Sequence, residues 1–416
     1  MPSSPDTEGA ELAAWVEQAR AWLGDNAPAE RAVRDPHDVS VFHNLSHDDE
    51  LAILDQLRAW QRLKFEAGYG AISWPTELHG AGLSSAHADA FKAAEGEAVA
   101  LTRHELFSVT INLIAPTIRL FGSDALKSRV FPGLHDGSQL ACQLFSEPAA
   151  GSDLAAVATR AVRDGDDWVL NGQKVWTSGA QFAEWGQALV RTDSSVAKHA
   201  GLSAFLVPMD APGVEVRQIK QMSGGTSFNE VFLTDVRVPD AYRLGEPGDG
   251  WKVTRATLGF ERANASNKSG VGGSFEQLLE VARRSGADRD RAVRARLAEI
   301  RAREVAAEVS LHREQRARDS GEPPGASGSM RKLQWVRKLG LVSETARELL
   351  GPELIADDGR PGRFSWNAHV LGAPGYRIAG GADQIQRNIV AERHLGMPAD
   401  KAPQPAVASP AVKEQT

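Results

Sequence analysis

The sequence predicts an α+β protein laid out as helices, then a small antiparallel sheet, then helices again. Three observations predict it. Alanine-rich amphipathic runs broken by Gly and Pro fill residues 8 to 135. β-branched and aromatic residues gather between turn signals from residue 138 to 245. Helical periodicity then returns after Gly250-Trp251.

Residues 1–137 are expected to form an N-terminal helical domain, with breaks at Trp74-Pro75 and Gly80-Ala-Gly82. Residues 138–245 are expected to form the middle antiparallel β domain. Within it, Thr159–Gly172 reads as a hairpin turning at Asp164-Gly165, with Asn171-Gly172 opening the next turn. Leu202–Pro208 and Val231–Pro239 read as strands that end at prolines. Residues 246–398 are expected to be a C-terminal helical domain. Gln277–Arg318 holds no proline, and Val293, Leu297 and Ile300 share one helical face. Met330–Leu350 has the same character, and Pro/Gly-rich loops at Gly321–Gly328 and Gly359–Gly362 separate these helices. The Pro/Ala-rich residues 399–416 are expected to be a disordered tail.

Composition narrows the function. At 416 residues the chain is long enough for two or three packed units. A formal charge of −7 argues against a nucleic-acid-binding surface. Cys142 is the single cysteine, so no intrachain disulfide forms and a reducing compartment fits. The N-terminus lacks the basic and apolar regions of a signal peptide, and no stretch reaches the ~20 apolar residues of a membrane span, so a cytoplasmic protein is expected. His43 and His47 fall four apart and read as surface residues, so no metal is expected. There is no Gly-x-Ser-x-Gly elbow of a serine hydrolase.

Four segments carry the chemistry. They are Leu144-Phe-Ser-Glu-Pro-Ala-Ala-Gly-Ser-Asp153, Leu170-Asn-Gly-Gln-Lys-Val-Trp-Thr-Ser178, Leu258-Gly-Phe-Glu-Arg-Ala263 and Gly380-Gly-Ala-Asp-Gln-Ile-Gln-Arg387. Taken singly, Ser146, Ser152 and Ser178 fit ordinary turn chemistry. Trp176 alone fits a core residue, and Glu261 alone fits an acid at a helix start beside an arginine. The joint spacing of the first two segments decides against that reading for the serines and Trp176, and the glycine at 380 together with those segments decides against it for Glu261.

Together the segments resemble the acyl-CoA dehydrogenase family over about residues 65 to 400, including the stretch Ala71-Ile-Ser-Trp-Pro-Thr-Glu-Leu-His-Gly-Ala-Gly82. The resemblance implies the acyl-CoA dehydrogenase fold, with a C-terminal domain like a four-helix bundle. It also implies FAD, and oxidation of an acyl-CoA thioester to the 2-enoyl-CoA. Leu144 and Ser146 then meet the flavin through backbone N–H and hydroxyl, Gly151 and Ser152 lie by the pyrophosphate or the thioester chain, Trp176 packs on the flavin, Ser178 lies near N5, and Gln384 touches the cofactor.

The base follows from a departure. Most members carry a glutamate in a Glu-Gly-Thr motif near the C-terminus, and here that motif reads Gly380-Gly-Ala382. A minority branch carries it in a Leu-x-x-Glu-Arg motif after the β domain, which Leu258-Gly-Phe-Glu-Arg262 matches. Glu261 is thereby implied to abstract the α-proton, with Ser152, Arg262 and Gly380 beside the substrate. The family's Arg-x-x-Phe-Gly has no clear equivalent at Asn267–Glu276, and Ala382 lacks the usual threonine hydroxyl.

The implied partners are an acyl-CoA, an electron-transfer flavoprotein as acceptor, and either a homodimer or homotetramer or a heterotetramer with a homologous subunit. Two alternatives stay open: a flavin monooxygenase or oxidase on the same fold, and a non-catalytic partner subunit of a heteromeric dehydrogenase.

Overall fold

The computed structural model describes residues 5–28, 38–42, 44–264, 272–321, 325–357 and 364–399. The expected tail and the loop at 359–362 lie outside them, apart from residue 399.

Helices α1 (Pro5–Asn26), α2 (His47–Glu66), α3 (Ser85–Ala98), α4 (Glu105–Val109), α5 (Ala115–Phe121) and α6 (Asp124–Asp136) come first. α2 starts where Ser46 caps the Asp49 amide, with Asp48, Asp49 and Glu50 in its first turn complementing the helix dipole. Leu23, Trp60, Ile72 and Phe91 form the core between these helices. A π-turn at Thr110–Ile114 joins α4 to α5. It sits just before Pro116, which lacks the N–H that would continue an α-helical ladder. Thr110 Oγ1 accepts from the Ala141 amide at 2.8 Å, tying this turn to the first strand.

The sheet contains β1 (Ala141–Leu144), β2 (Arg160–Asp164), β3 (Asp167–Ser178), β4 (Trp185–Arg191), β5 (Leu202–Pro208), β6 (Val214–Ile219), β7 (Phe228–Pro239) and β8 (Arg243–Leu244). Its order is β6-β7-β3-β2-β4-β5-β8, with β1 added to β4. Most neighbours are antiparallel, as expected, but β1 and β2 each pair with β4 in parallel. The β2–β3 hairpin turns through Gly165-Asp166, where Gly165 has φ +64°. Asn171-Gly172 does not open a turn. β3 runs on through it with a bulge, because Thr159 packs so closely that a Cβ at Gly172 would lie 2.3 Å from Thr159 Oγ1.

Helices α7 (Gly250–Asn264), α8 (Phe275–Arg284), α9 (Arg291–Asp319), α10 (Ser327–Leu350), α11 (Ser365–Gly372) and α12 (Asp383–Arg393) complete the chain. The segment 277–318 is two helices rather than one. Gly286 at φ +71° ends the first, and Asp290 accepts from the Ala292 and Val293 amides to start the second. Val293, Leu297 and Ile300 do share a buried face, packed against Leu278, Val281, Val342 and Ala346.

Candidate active site

The segment after β1 and the end of β3 are built as one unit. The Val175 amide donates to Ser146 O at 2.9 Å, so the two expected flavin segments touch. Beneath them lies a buried ion pair. Lys174, with a fully buried side chain, donates to Glu147 Oε1 at 2.7 Å, Phe145 O at 3.1 Å and Leu189 O at 2.6 Å. Glu147 also accepts from the Ala158 and Thr159 amides at 2.6 and 2.9 Å. Burial pulls the Lys174 ammonium down to about 8, against the pull of Glu147. Burial would raise the Glu147 carboxyl, but Lys174 and the donated hydrogen bonds outweigh it and hold the group below its ordinary range. Each of the three protons of the ammonium has an acceptor, so the pair is a satisfied buried network that pins the loop on either side of Ser146.

Immediately after Lys174 the β3–β7 register slips, and Trp176 takes φ +62°. A left-handed tryptophan in a strand is strained. The strain presents the indole to the cavity at 60% exposure, edge-on to Phe228 at 6.1 Å. Asn229 Nδ2 donates to Thr177 O at 3.0 Å and holds the bulge in place.

α7 brings Glu261 to the same cavity. One turn earlier, Thr257 is buried and bonded to Thr117 at 3.0 Å and to Gln187 Nε2 at 2.9 Å, which locks the helix to α5 and to β4. Opposite Glu261 lies the Gly380-Gly381 pair, at φ +64° and +84°. A Cβ built on Gly380 would meet Glu261 Oε1 at 3.3 Å. Gln386 Nε2 donates to Gly380 O at 2.9 Å, and Lys332 Nζ donates to Gly381 O at 2.6 Å.

One continuous cavity of about 2270 Å³ contains Ser146, Gly151, Ser152, Trp176, Ser178, Glu261 and Gly380 in its walls. Two expected residues lie elsewhere. The Leu144 side chain is 0% exposed in the core, because strand alternation turns it away while Gln143 and Phe145 face the cavity, so only its backbone remains available to a ligand. Gln384 is on the exposed face of α12, whereas Asp383 and Gln386, three apart, are buried on the inner face. The Arg262 side chain lies outside the described residues.

Sequence reasoning misses Glu147, Lys174 and Gln386, which lie within the motif segments, and Lys332, which lies outside them. The signal for the first two is their place inside the two spaced segments, 27 positions apart. Among the described residues no group of three or more His, Cys, Asp or Glu could hold a metal ion, and no helix is long and apolar enough to cross a membrane.

The cavity suits a flavin in its donor set. Ser146 and Ser178 bring hydroxyls to a wall that also carries an exposed indole, and nothing lies within 4 Å of the Cβ position at Gly151, leaving room for a close ligand.

Comparison with known proteins points the same way. Residues 38–138, 142–236 and 248–395 match the family descriptions "Acyl-CoA dehydrogenase, N-terminal domain", "middle domain" and "C-terminal domain". The chain is 38% identical over 388 residues to acyl-CoA dehydrogenase IpdE1 of Mycobacterium tuberculosis, covering 92% of this chain and 96% of that protein. Among solved structures it resembles the Tcur3481-Tcur3483 steroid ACAD with a TM-score of 0.72 at 26% identity, covering 96% of this chain and 100% of the other. It also resembles the ChsE4-ChsE5 complex of M. tuberculosis with a TM-score of 0.67 at 27% identity, again covering 96% and 100%.

Proposed function

Because this chain belongs to the acyl-CoA dehydrogenase family and is an acyl-CoA dehydrogenase by that membership, we propose that Glu261 is the base that removes the α-proton of the acyl-CoA thioester. The observation that carries the proposal is the 3.3 Å approach of Glu261 Oε1 to the empty Cβ position of Gly380. That position is where most of the family would place a glutamate side chain. A carboxylate reaching in from α7 and one growing from the Gly380 position would therefore compete for the same space, so losing one is compatible with using the other. A base must lie within hydrogen-bond reach of the proton it takes, and the cavity wall around Glu261 is open to a ligand.

The family is FAD-dependent, and the cofactor when bound supplies the acceptor for the hydride from the β-carbon. In this chain Ser146 and Ser178 would offer hydroxyls to it, Gly151 and Ser152 would let backbone come close, and Trp176 would pack against it. Glu147 and Lys174 tie the segment after β1 to β3, the two pieces of chain that carry these groups. Gln386 is a better candidate than Gln384 for shaping the cavity in a single chain, since it lines the wall and holds Gly380 O.

The acceptor of the electrons is proposed to be an electron-transfer flavoprotein. A homologous second subunit is the proposed partner, supported by the paired chains in the printed names of the Tcur3481-Tcur3483 and ChsE4-ChsE5 structures. A bulky acyl group such as a steroid ester fits the printed name of the Tcur3481-Tcur3483 steroid ACAD and the glycines at 259 and 380.

The test is anaerobic titration of Glu261→Gln with acyl-CoA esters while the flavin absorbance is followed. The variant is expected to keep its flavin and lose at least ~10³-fold in reductive rate, the scale of a positioned base. Bleaching at the wild-type rate would remove Glu261 from that role.

A further inference from the structure

We propose that Lys332 is a positioning residue for the Glu261 carboxylate, clamping the glycine pair that faces it and supplying the positive charge that keeps it ionised. The inference rests on the reading of Glu261 as the base.

The clamp is visible in the hydrogen bonds. Lys332 projects from α10 with its side chain only 10% exposed. Its ammonium donates to Gly381 O at 2.6 Å, and Asp383 Oδ1 lies 3.6 Å away. Gly380 O, one peptide earlier, accepts from Gln386. Both carbonyls of the pair are thus held by side chains on two different helices, Gln386 buried and Lys332 half-buried. Residues at φ +64° and +84° have many alternative conformations when they are glycine, and the two bonds remove that freedom. What remains is a fixed floor with an empty Cβ position beneath Glu261 Oε1.

The charge follows from the same placement. The ionisable groups around this floor are Lys332 on α10, Asp383 on α12, Arg377 on the 3-10 turn before α12, and, along the cavity, Arg255 on α7 and Arg393 at the end of α12. Arg377 bonds Asp383 at 3.0 Å, so that carboxylate is shared between two cations. Lys332 and Arg377 against Asp383 leave one positive charge at the glycine floor, and Arg255 and Arg393 add cations along the cavity that Glu261 lines. Arg377 is 61% exposed and its field is screened by solvent, whereas the Lys332 side chain is 10% exposed and its field is screened less. Burial lowers the Lys332 ammonium from its usual range, and both Asp383 and Glu261 act against that lowering. An attraction that raises the proton affinity of the amine equally lowers that of the carboxylate. A base in a cavity that also carries apolar and aromatic side chains such as Leu258, Trp176 and Phe228 would be driven toward its neutral form. Lys332 opposes this.

The experiment compares pH profiles of anaerobic flavin reduction in the full-length holoenzyme. The probe is whichever ester in a panel of straight-chain and steroid-side-chain acyl-CoAs bleaches the wild type fastest. Lys332→Gln keeps a donor for Gly381 O and loses the charge, Lys332→Met loses both, and Lys332→Arg keeps both. Lys332→Gln is expected to hold its high-pH plateau within about threefold while its acid limb moves up by about one pH unit. Lys332→Arg should restore the limb, and Lys332→Met should lower the plateau as well. Melting temperature in the same buffers separates a structural role, which would lower stability at every pH and leave the limb in place. If Lys332→Gln titrates like wild type, the inference is overturned; if Lys332→Met does not fold, this variant still decides. Glu261→Gln run in parallel isolates the premise, since wild-type bleaching by that variant would remove the base itself.

Discussion

Gly380 and Glu261 face each other closely, since a Cβ at residue 380 would lie 3.3 Å from Glu261 Oε1 although the two are 119 positions apart in the chain. The glycine is favoured by its left-handed φ of +64°, and the carboxylate beside it leaves little room for a Cβ.

Gly380→Ala should therefore act on both. The left-handed alanine costs on the order of 1 kcal/mol of stability, and the methyl group pushes the carboxylate aside by a few tenths of an ångström. A fall of at least about tenfold in flavin reduction is expected, with Tm lowered by only a few degrees. Stopped-flow bleaching and a thermal melt of the same sample read the two effects apart.

Trp176→Gly tests whether the strained bulge is there for the ligand. Glycine relieves a φ of +62°, so the free protein should lose little stability or gain up to about 1 kcal/mol. Flavin retention should drop, measured as the dissociation constant by fluorescence titration. A less stable protein with undiminished flavin affinity would assign the indole a packing role.

Lys174→Met leaves the Glu147 carboxylate buried without its cation. Breaking such a pair costs about 3–5 kcal/mol, so a large fall in the denaturation midpoint and loss of bound flavin are expected. Adding Glu147→Gln should return part of the stability, because the stranded charge is then gone. A double variant as unstable as the single one would contradict this account of the pair.

Acid should destabilise the fold through two buried histidines. Burial lowers both His135 and His369 to about 4, in spite of carbonyl neighbours that favour the charged ring. The unfolded chain binds each proton near pH 6.5, so between pH 6.5 and 4 the unfolded state holds the extra protons. Stability is complete above that window and falls through it as the pH drops, by up to about 3 kcal/mol per histidine. His135 stacks on Phe131 and meets Trp74 edge-on, so His135→Phe keeps the packing and should flatten the slope measured by denaturant unfolding at pH 7, 6 and 5.

The order of helices, sheet and helices was legible in the sequence because periodicity is a local property, set by which side chains face a core. The motifs were legible for a similar reason. Ser146, Trp176 and Glu261 belong to short segments whose spacing is distinctive before any folding is considered. Three features were not legible, and each has a long-range cause. Asn171-Gly172 carries turn chemistry but lies in a bulged strand, because Thr159 closes over it and β7 continues the pairing. Gln384 and Gln386 differ by two positions, and only the docking of α12 on α10 decides which of them faces the cavity. Lys174 and Lys332 read as ordinary charged residues until the fold buries one against Glu147 and seats the other behind the glycines.

The sequence by itself determined the family, the layer order and the residue types of the site. Only the tertiary structure decided which carboxylate meets which glycine and which lysines support them. Those contacts join α7, α10 and α12, or β1, β3 and β4, and a contact between distant segments depends on the closure and packing of everything between them.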